Sequence, residues 1–139
     1  LTLRTAMRLI PGAGAIVIVS SISGIKAEPG VAAYGASKAA AAHLAKVAAK
    51  EGASRGLRVN AILPGGVDTP IWNGMDFFEA MVRDLGSREA ALKAMASAAT
   101  PLGRFATADE IAGQIAFLLS DGAATITGAL LTSDGGYSL

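Results

Sequence analysis

Tyr34 and Lys38 stand four residues apart in the segment Tyr34-Gly-Ala-Ser-Lys38. That spacing stacks two side chains on one face of a helix. A free phenol ionises only near pH ~10 and is a poor base at neutrality, whereas an ammonium group held beside it favours the phenolate. Such a pair can exchange a proton with an alcohol or carbonyl oxygen. The spacing alone is a weak signal, because a core tyrosine next to a surface lysine produces it too.

Two further segments add to the pair. Ser21, in Val-Ser-Ser-Ile-Ser-Gly24, lies directly after an apolar run and ahead of Tyr34 in the chain. The carboxyl ends of strands are where open α/β sheets hold ligands, and a hydroxyl there can donate to a carbonyl that gains negative charge. Taken singly, Ser20, Ser21 and Ser23 read equally well as turn caps. The second segment, Asn60-Ala-Ile-Leu-Pro-Gly-Gly-Val-Asp-Thr69, turns at Pro64, Gly65 and Gly66. Glycines there let backbone approach a flat ring closely; backbone groups of Val67 and the hydroxyl of Thr69 suit a carboxamide. Taken alone, it is an ordinary Pro-Gly turn.

The elements that must position these groups alternate. Leu1 to Ile10 reads as the end of an amphipathic helix stopped by Pro11-Gly12. Ala15 to Ser20 is a β-branched apolar run, expected as a strand buried on both faces of a parallel sheet. The longest helix is expected from about Ala33 to Ser54; its run Ala39 to Ala42 favours helix and permits close approach of a neighbour. Leu57 to Leu63 reads as a second strand. From Thr69 to about Thr100 one or two helices are expected, one over Ser87 to Ser97. Thr107-Ala-Asp-Glu110 has the form of a capping box opening a helix to Leu119. Ala129 to Ser133 is the last strand, turned by Asp134-Gly-Gly136. This order implies a parallel sheet with helices on its faces, a doubly wound α/β fold. Three strands are few for such a sheet, and the one at Ala15 is too apolar for an exposed edge, so it is expected to need a further partner.

Composition narrows the classes. Of 139 residues, 52% are hydrophobic and 17% charged, as in a packed globular chain, and the formal net charge of +1 gives no electrostatic case for nucleic acid or an anionic membrane. Cysteine is absent, which rules out thiolate chemistry and is compatible with a reducing cytoplasm; His43 is the single histidine, so no histidine-rich metal site is expected. No apolar run approaches the roughly 20 residues of a membrane span, and Arg4 and Arg8 interrupt what would be a secretory signal.

In this order, a strand, Ser21, the Tyr34/Lys38 pair on a long helix, a second strand and a Pro64-Gly-Gly-Val-Asp-Thr69 turn resemble the classical short-chain dehydrogenases/reductases. The stretches Pro101-Leu-Gly-Arg-Phe, Ile126-Thr-Gly and Asp134-Gly-Gly-Tyr137 are similar to that family as well, so the resemblance covers essentially the whole chain. It implies that residues 1–139 are the catalytic and C-terminal part of one Rossmann-type domain, the C-terminal half of its doubly wound parallel sheet. It implies NAD or NADP as cofactor, with a ketone and a secondary alcohol interconverted by hydride transfer. By the resemblance Tyr34 is the general acid/base, helped further by the charge of the oxidised nicotinamide. Lys38 favours its phenolate and binds the nicotinamide ribose, and Ser21 orients the substrate oxygen. Pro64, Gly65, Val67 and Thr69 line the nicotinamide end of the cofactor. A mobile lid after the turn is implied, with Gly66 and Trp72 as candidates to line the substrate; Trp72, Met75, Phe77, Phe78 and Met81 are either lid or core.

The family's glycine-rich dinucleotide turn, its Asn-Ala-Gly segment and its catalytic asparagine have no counterpart in these residues; an upstream half is expected to carry them, and the chain alone is expected to bind a dinucleotide poorly. The resemblance also implies a homo-oligomer, a dimer or tetramer packed through the alanine-rich helix and the helix after Thr107. A non-catalytic binding or scaffolding relative and an isomerase, epimerase or dehydratase are the alternatives. The intact serine, tyrosine and lysine disfavour the first, and the Asp134-Gly-Gly ending disfavours the second. His43 is expected to be a surface or packing residue rather than a catalyst, with Lys46, Lys50 and Glu51 on a solvated helix face.

Overall fold

The computed structural model describes residues 2–139; Leu1, at the start of the expected first helix, lies outside them. Helix α1 spans Thr2–Leu9, strand β1 Gly14–Val19, helix α2 Ala32–Gly52 and strand β2 Leu57–Pro64. A two-residue strand β3, Val67–Asp68, precedes helices α3, Asp76–Leu85, and α4, Arg88–Ala99. Strand β4, Ala106–Thr107, leads directly into helix α5, Ala108–Leu119, and β5 is Leu130–Ser133. The main sheet is parallel throughout with order β1-β2-β5, while β3 and β4 form a separate parallel pair.

Strand β2 is the centre of the molecule, and its period of two explains both layers. Leu57, Val59, Ala61 and Leu63 point to one face, where Ala45, Ala48 and Ala49 of α2 close over them with Leu3, Met7 and Ile10 packed alongside. Removing each larger apolar side chain from water contributes about 1.5–3 kcal/mol. Arg58, Asn60 and Ile62 point to the other face. There Arg58 donates to the Leu118 and Ser120 carbonyls at 2.8 and 3.0 Å, neutralising the end of α5. Asn60, fully buried, donates to the Ile126 carbonyl and accepts from the Ala129 amide, both at 2.9 Å. One side chain thereby sets the approach of β5.

The expected doubly wound α/β arrangement is present, with differences in detail. Burial on both faces belongs to β2 rather than to β1: β1 is an edge of the sheet among the described residues, and Val19 is 52% exposed. In α2 the close packing falls on Ala42, Ala45, Ala48 and Ala49, so of the run Ala39 to Ala42 only the last is buried. The same helix stops at Gly52, short of Ser54, because a 3-10 turn over Ala53–Arg55 follows and Gly56 closes it at φ 71°. The β3–β4 pair was not anticipated; two residues carry no readable period. Lys46, Lys50 and Glu51 are exposed, as expected, and of the two readings of His43 the surface one holds.

The capping box forms. Thr107 accepts from the Glu110 amide at 3.1 Å, and the Glu110 carboxylate accepts from the Thr107 amide at 2.8 Å. Arg104 also holds that carboxylate, at 2.8 and 2.7 Å. The Arg104 hydrogen bonds, followed by the Thr107 amide, push the Glu110 carboxyl from its ordinary 4.5 down to about 2. A depressed carboxyl stabilises the fold fully above its ordinary value, and this contribution is lost as pH falls toward the folded value. Glu110→Gln should therefore flatten the decline of Tm between about pH 5 and pH 2, where the native residue titrates. Thermal denaturation followed by circular dichroism across that window is the check; an unchanged acid-side slope would contradict the assignment.

Candidate active site

Ser21 follows β1 in extended conformation, φ −161° and ψ 156°, and is 8% exposed. Its hydroxyl accepts from the Ser23 amide at 3.2 Å, so it caps the 3-10 turn Ile22–Gly24 and lines a cleft as well. Two contacts seat that turn on α2. The Ser20 hydroxyl donates to the Lys38 carbonyl at 2.7 Å. A Cβ on Gly24 would lie 2.9 Å from backbone atoms of Lys38 and Ala39, an approach only glycine allows. On α2 itself, Lys38 Nζ stands 5.5 Å from the centroid of the Tyr34 ring, within reach of cation–π attraction. Tyr34 is 48% exposed on the cleft side of its helix.

The opposite wall begins where β2 ends. Pro64 is buried, and the Gly65 amide donates to the Ser133 carbonyl at 2.9 Å. The two glycines are required for reasons other than an approaching ligand: a Cβ on Gly65 would be 2.8 Å from the Asp134 Cα, and one on Gly66 would be 2.4 Å from the Phe105 ring. The Val67 carbonyl accepts from Trp72 Nε1 at 2.8 Å, and the Trp72 ring stacks on Phe105 with centroids 5.5 Å apart. Thr69 caps the 3-10 turn Pro70–Trp72, its hydroxyl accepting from the Ile71 amide at 3.4 Å. Arg88 braces this turn through the Thr69 carbonyl at 2.9 Å and Asp68 at 2.8 Å.

Between the walls is a cleft of about 880 Å³, and every residue singled out from the sequence for the site lines it, from Ser21, Tyr34 and Lys38 to the Pro64–Thr69 turn and Trp72. The doubtful lid residues divide. Met75 lines the cleft, Phe77 is exposed, and Phe78 is buried with Ala91 and Leu92, with Met81 packed against them. Sequence reasoning missed Phe105 and Tyr137 as cleft residues; they lie far along the chain from the turn, and only folding brings them in. Tyr137 donates to Glu28 Oε1 at 2.9 Å, and Lys26, itself paired with Glu28, lies 3.7 Å above its ring. The bond from Lys26, then that from Tyr137, holds the Glu28 carboxyl below its ordinary value; burial first and Glu28 second raise the Tyr137 phenol.

Among the described residues no helix is long and apolar enough to cross a membrane, and no group of three or more His, Cys, Asp or Glu side chains is placed to hold a metal.

Comparison with known proteins agrees with this fold. The family model described as Enoyl-(Acyl carrier protein) reductase matches residues 1–138. A cis-4-hydroxycyclohexanecarboxylate dehydrogenase of Sinomonas cyclohexanicum is 42% identical over 127 residues, 91% of this chain and 46% of that protein. L-sorbose reductase from Gluconobacter frateurii, solved with NADPH and L-sorbose, superposes with a TM-score of 0.81 at 31% identity, over 91% of this chain and 48% of that one. A 4-hydroxyisoleucine dehydrogenase complexed with NADH gives a TM-score of 0.72 at 34% identity, over 90% and 46%. The chain spans about half the length of the curated relatives it matches.

The clearance at Gly66 gives a test of the wall. Gly66→Ala should drive Phe105 off Trp72, cost roughly 1–3 kcal/mol of stability and shift the emission of Trp72, the chain's single tryptophan. Adding Phe105→Leu should recover much of the loss. Urea denaturation and emission spectra of the single and double variants decide it, and a native-like Gly66→Ala protein would refute the packing account.

Proposed function

The chain belongs to the short-chain dehydrogenase/reductase family, and from that premise we propose that the intact protein is an NAD- or NADP-dependent oxidoreductase interconverting a secondary alcohol and a ketone. The observation that carries the reading is the single cleft shared by Ser21, Tyr34, Lys38 and the turn after β2. Its donor set suits the nicotinamide end of a dinucleotide: an ammonium at Lys38 for ribose hydroxyls, the Thr69 hydroxyl and the backbone amide of Val67 for a carboxamide, and Pro64 and Gly65 beside the ring. Relatives solved with NADH and with NADPH support the cofactor class without choosing between the two.

When bound, the dinucleotide would supply or accept the hydride. The remaining work belongs to the chain. In reduction, the Tyr34 hydroxyl gives its proton to the substrate oxygen as negative charge develops there, and the Ser21 hydroxyl donates a second hydrogen bond to that atom. Lys38, whose ammonium stands 5.5 Å from the centroid of the Tyr34 ring, favours the resulting phenolate. In oxidation the same groups run in reverse. The ring alcohol in the name of the 42% identical relative brings secondary alcohols on six-membered rings among the candidate substrates.

We also infer a homo-oligomer. On α2, Leu44 is 52% and Val47 39% exposed, and on α5, Phe117 is 47% and Leu119 45% exposed. Apolar side chains grouped on two helices in this way suit contact with a second copy. A cytoplasmic location fits the absence of cysteine.

Tyr34→Phe should lower kcat at least about 100-fold while leaving cofactor affinity nearly unchanged. Lys38→Ala should lower both. Steady-state cofactor oxidation with a ketone panel, alongside cofactor titration, checks the pair, and a Tyr34→Phe enzyme of native activity would overturn the mechanism. For the assembly, light scattering should give a dimer or tetramer; a stable monomer at micromolar concentration would remove that part of the reading.

A further inference from the structure

Three polar side chains of the cleft lining outside the reacting set are already committed to partners within the protein. The Trp72 indole donates to the Val67 carbonyl at 2.8 Å, the Thr100 hydroxyl to the Ala96 carbonyl at 2.9 Å, and the Tyr137 hydroxyl to Glu28 at 2.9 Å. Each therefore offers the cleft a hydrocarbon face. Around them stand Ile71, Met75, Met95, Phe105 and Ile111, all apolar.

Charges beside this chamber are spent in the same way. Lys26, above the Tyr137 ring, is paired with Glu28. Arg88, bonded to the Thr69 carbonyl, is paired with Asp68 at 2.8 Å. Arg104, whose guanidinium reaches the Phe105 carbonyl at 3.3 Å, is paired with Glu110 at 2.7 Å. Each cation touches a residue of the wall, and each has a carboxylate of its own. Lys38 is the remaining cation in the cleft lining, and it belongs to the reacting end. A carboxylate or phosphate on the far side of a substrate would lose its water against apolar carbon and find no unpaired cation beside it among the described residues.

We propose that the site takes a secondary alcohol or ketone whose body, away from the reacting carbon, is uncharged and apolar, such as an alicyclic or aromatic ring. This rests on the oxidoreductase reading for the reaction and on the chamber alone for the ligand. Stacked Trp72 and Phe105 form one wall for that ring, and Tyr137, clamped from one side by Lys26 and at its hydroxyl by Glu28, forms another.

Two ketones of equal ring size separate charge from shape: 4-methylcyclohexanone and 4-oxocyclohexanecarboxylate. With the intact protein and saturating cofactor, kcat/KM for the first should exceed that for the second by about 100-fold. Binding is read independently from the Trp72-dependent emission, taken as the difference between the native protein and Trp72→Phe. The methyl ketone should change it at a concentration at least about tenfold lower than the carboxylate. Equal or tighter response to the carboxylate, or no response to either ketone, overturns the proposal. Selective binding of the methyl ketone with turnover of neither leaves the ligand class standing and removes the oxidoreductase reading instead.

Discussion

The parallel register between β1 and β2 carries the rest of the structure. Val19 lies opposite Ile62, so both strands run out at the same carboxyl end of the sheet, Ser20 following one and Pro64 closing the other. Had the pairing slipped by one residue, every side chain of β1 would have changed face. Ile16 and Ile18 would then leave the α2 side, and the hydroxyls after the strand would turn away from Tyr34. Register is enforced by burial: seven of the eight β2 residues are buried, and the alanines of α2 pack over Leu57, Val59, Ala61 and Leu63.

From this end of the strands the cleft is assembled by contacts onto backbone more than by contacts between side chains. The Ser20 hydroxyl reaches the Lys38 carbonyl and Gly24 lies on the backbone of α2, while on the other wall Gly65 lies against Asp134. Each is a short, stiff link between consecutive layers, which suits a site whose reacting groups must keep their separations. The opposite wall is held more by side chains, through Trp72 on Val67, Arg88 on Asp68 and Phe105 beneath Gly66.

Sequence alone disclosed a good deal of this. The helical stacking of Tyr34 and Lys38, the strand end at Ser21 and the capping box at Thr107 follow from local spacing, and local spacing survives in the fold. The Asn60 bonds to Ile126 and Ala129 were invisible, since they join residues far apart in the chain. Tyr137 and Phe105 escaped for the same reason. The glycines after Pro64 were legible as a need for room, but the sequence does not say what fills it. A flat ligand was the natural expectation; in the molecule the clearance is taken by Asp134 and the Phe105 ring. The apolar run at β1 likewise announced a buried strand, yet the deepest burial went to β2, whose sequence interleaves Arg58 and Asn60 with its aliphatics.

The outer side of β1 has a practical corollary. Among the described residues this strand bonds to β2 alone, so a row of amide and carbonyl groups along Gly14–Val19 faces outward, flanked by isoleucine and valine. Such a ladder is a ready template for any extended chain of similar composition. A polypeptide limited to these residues would thus be open to irregular stacking between molecules along this strand. A lysine on the outward rim, or a strand seated there, is the natural remedy.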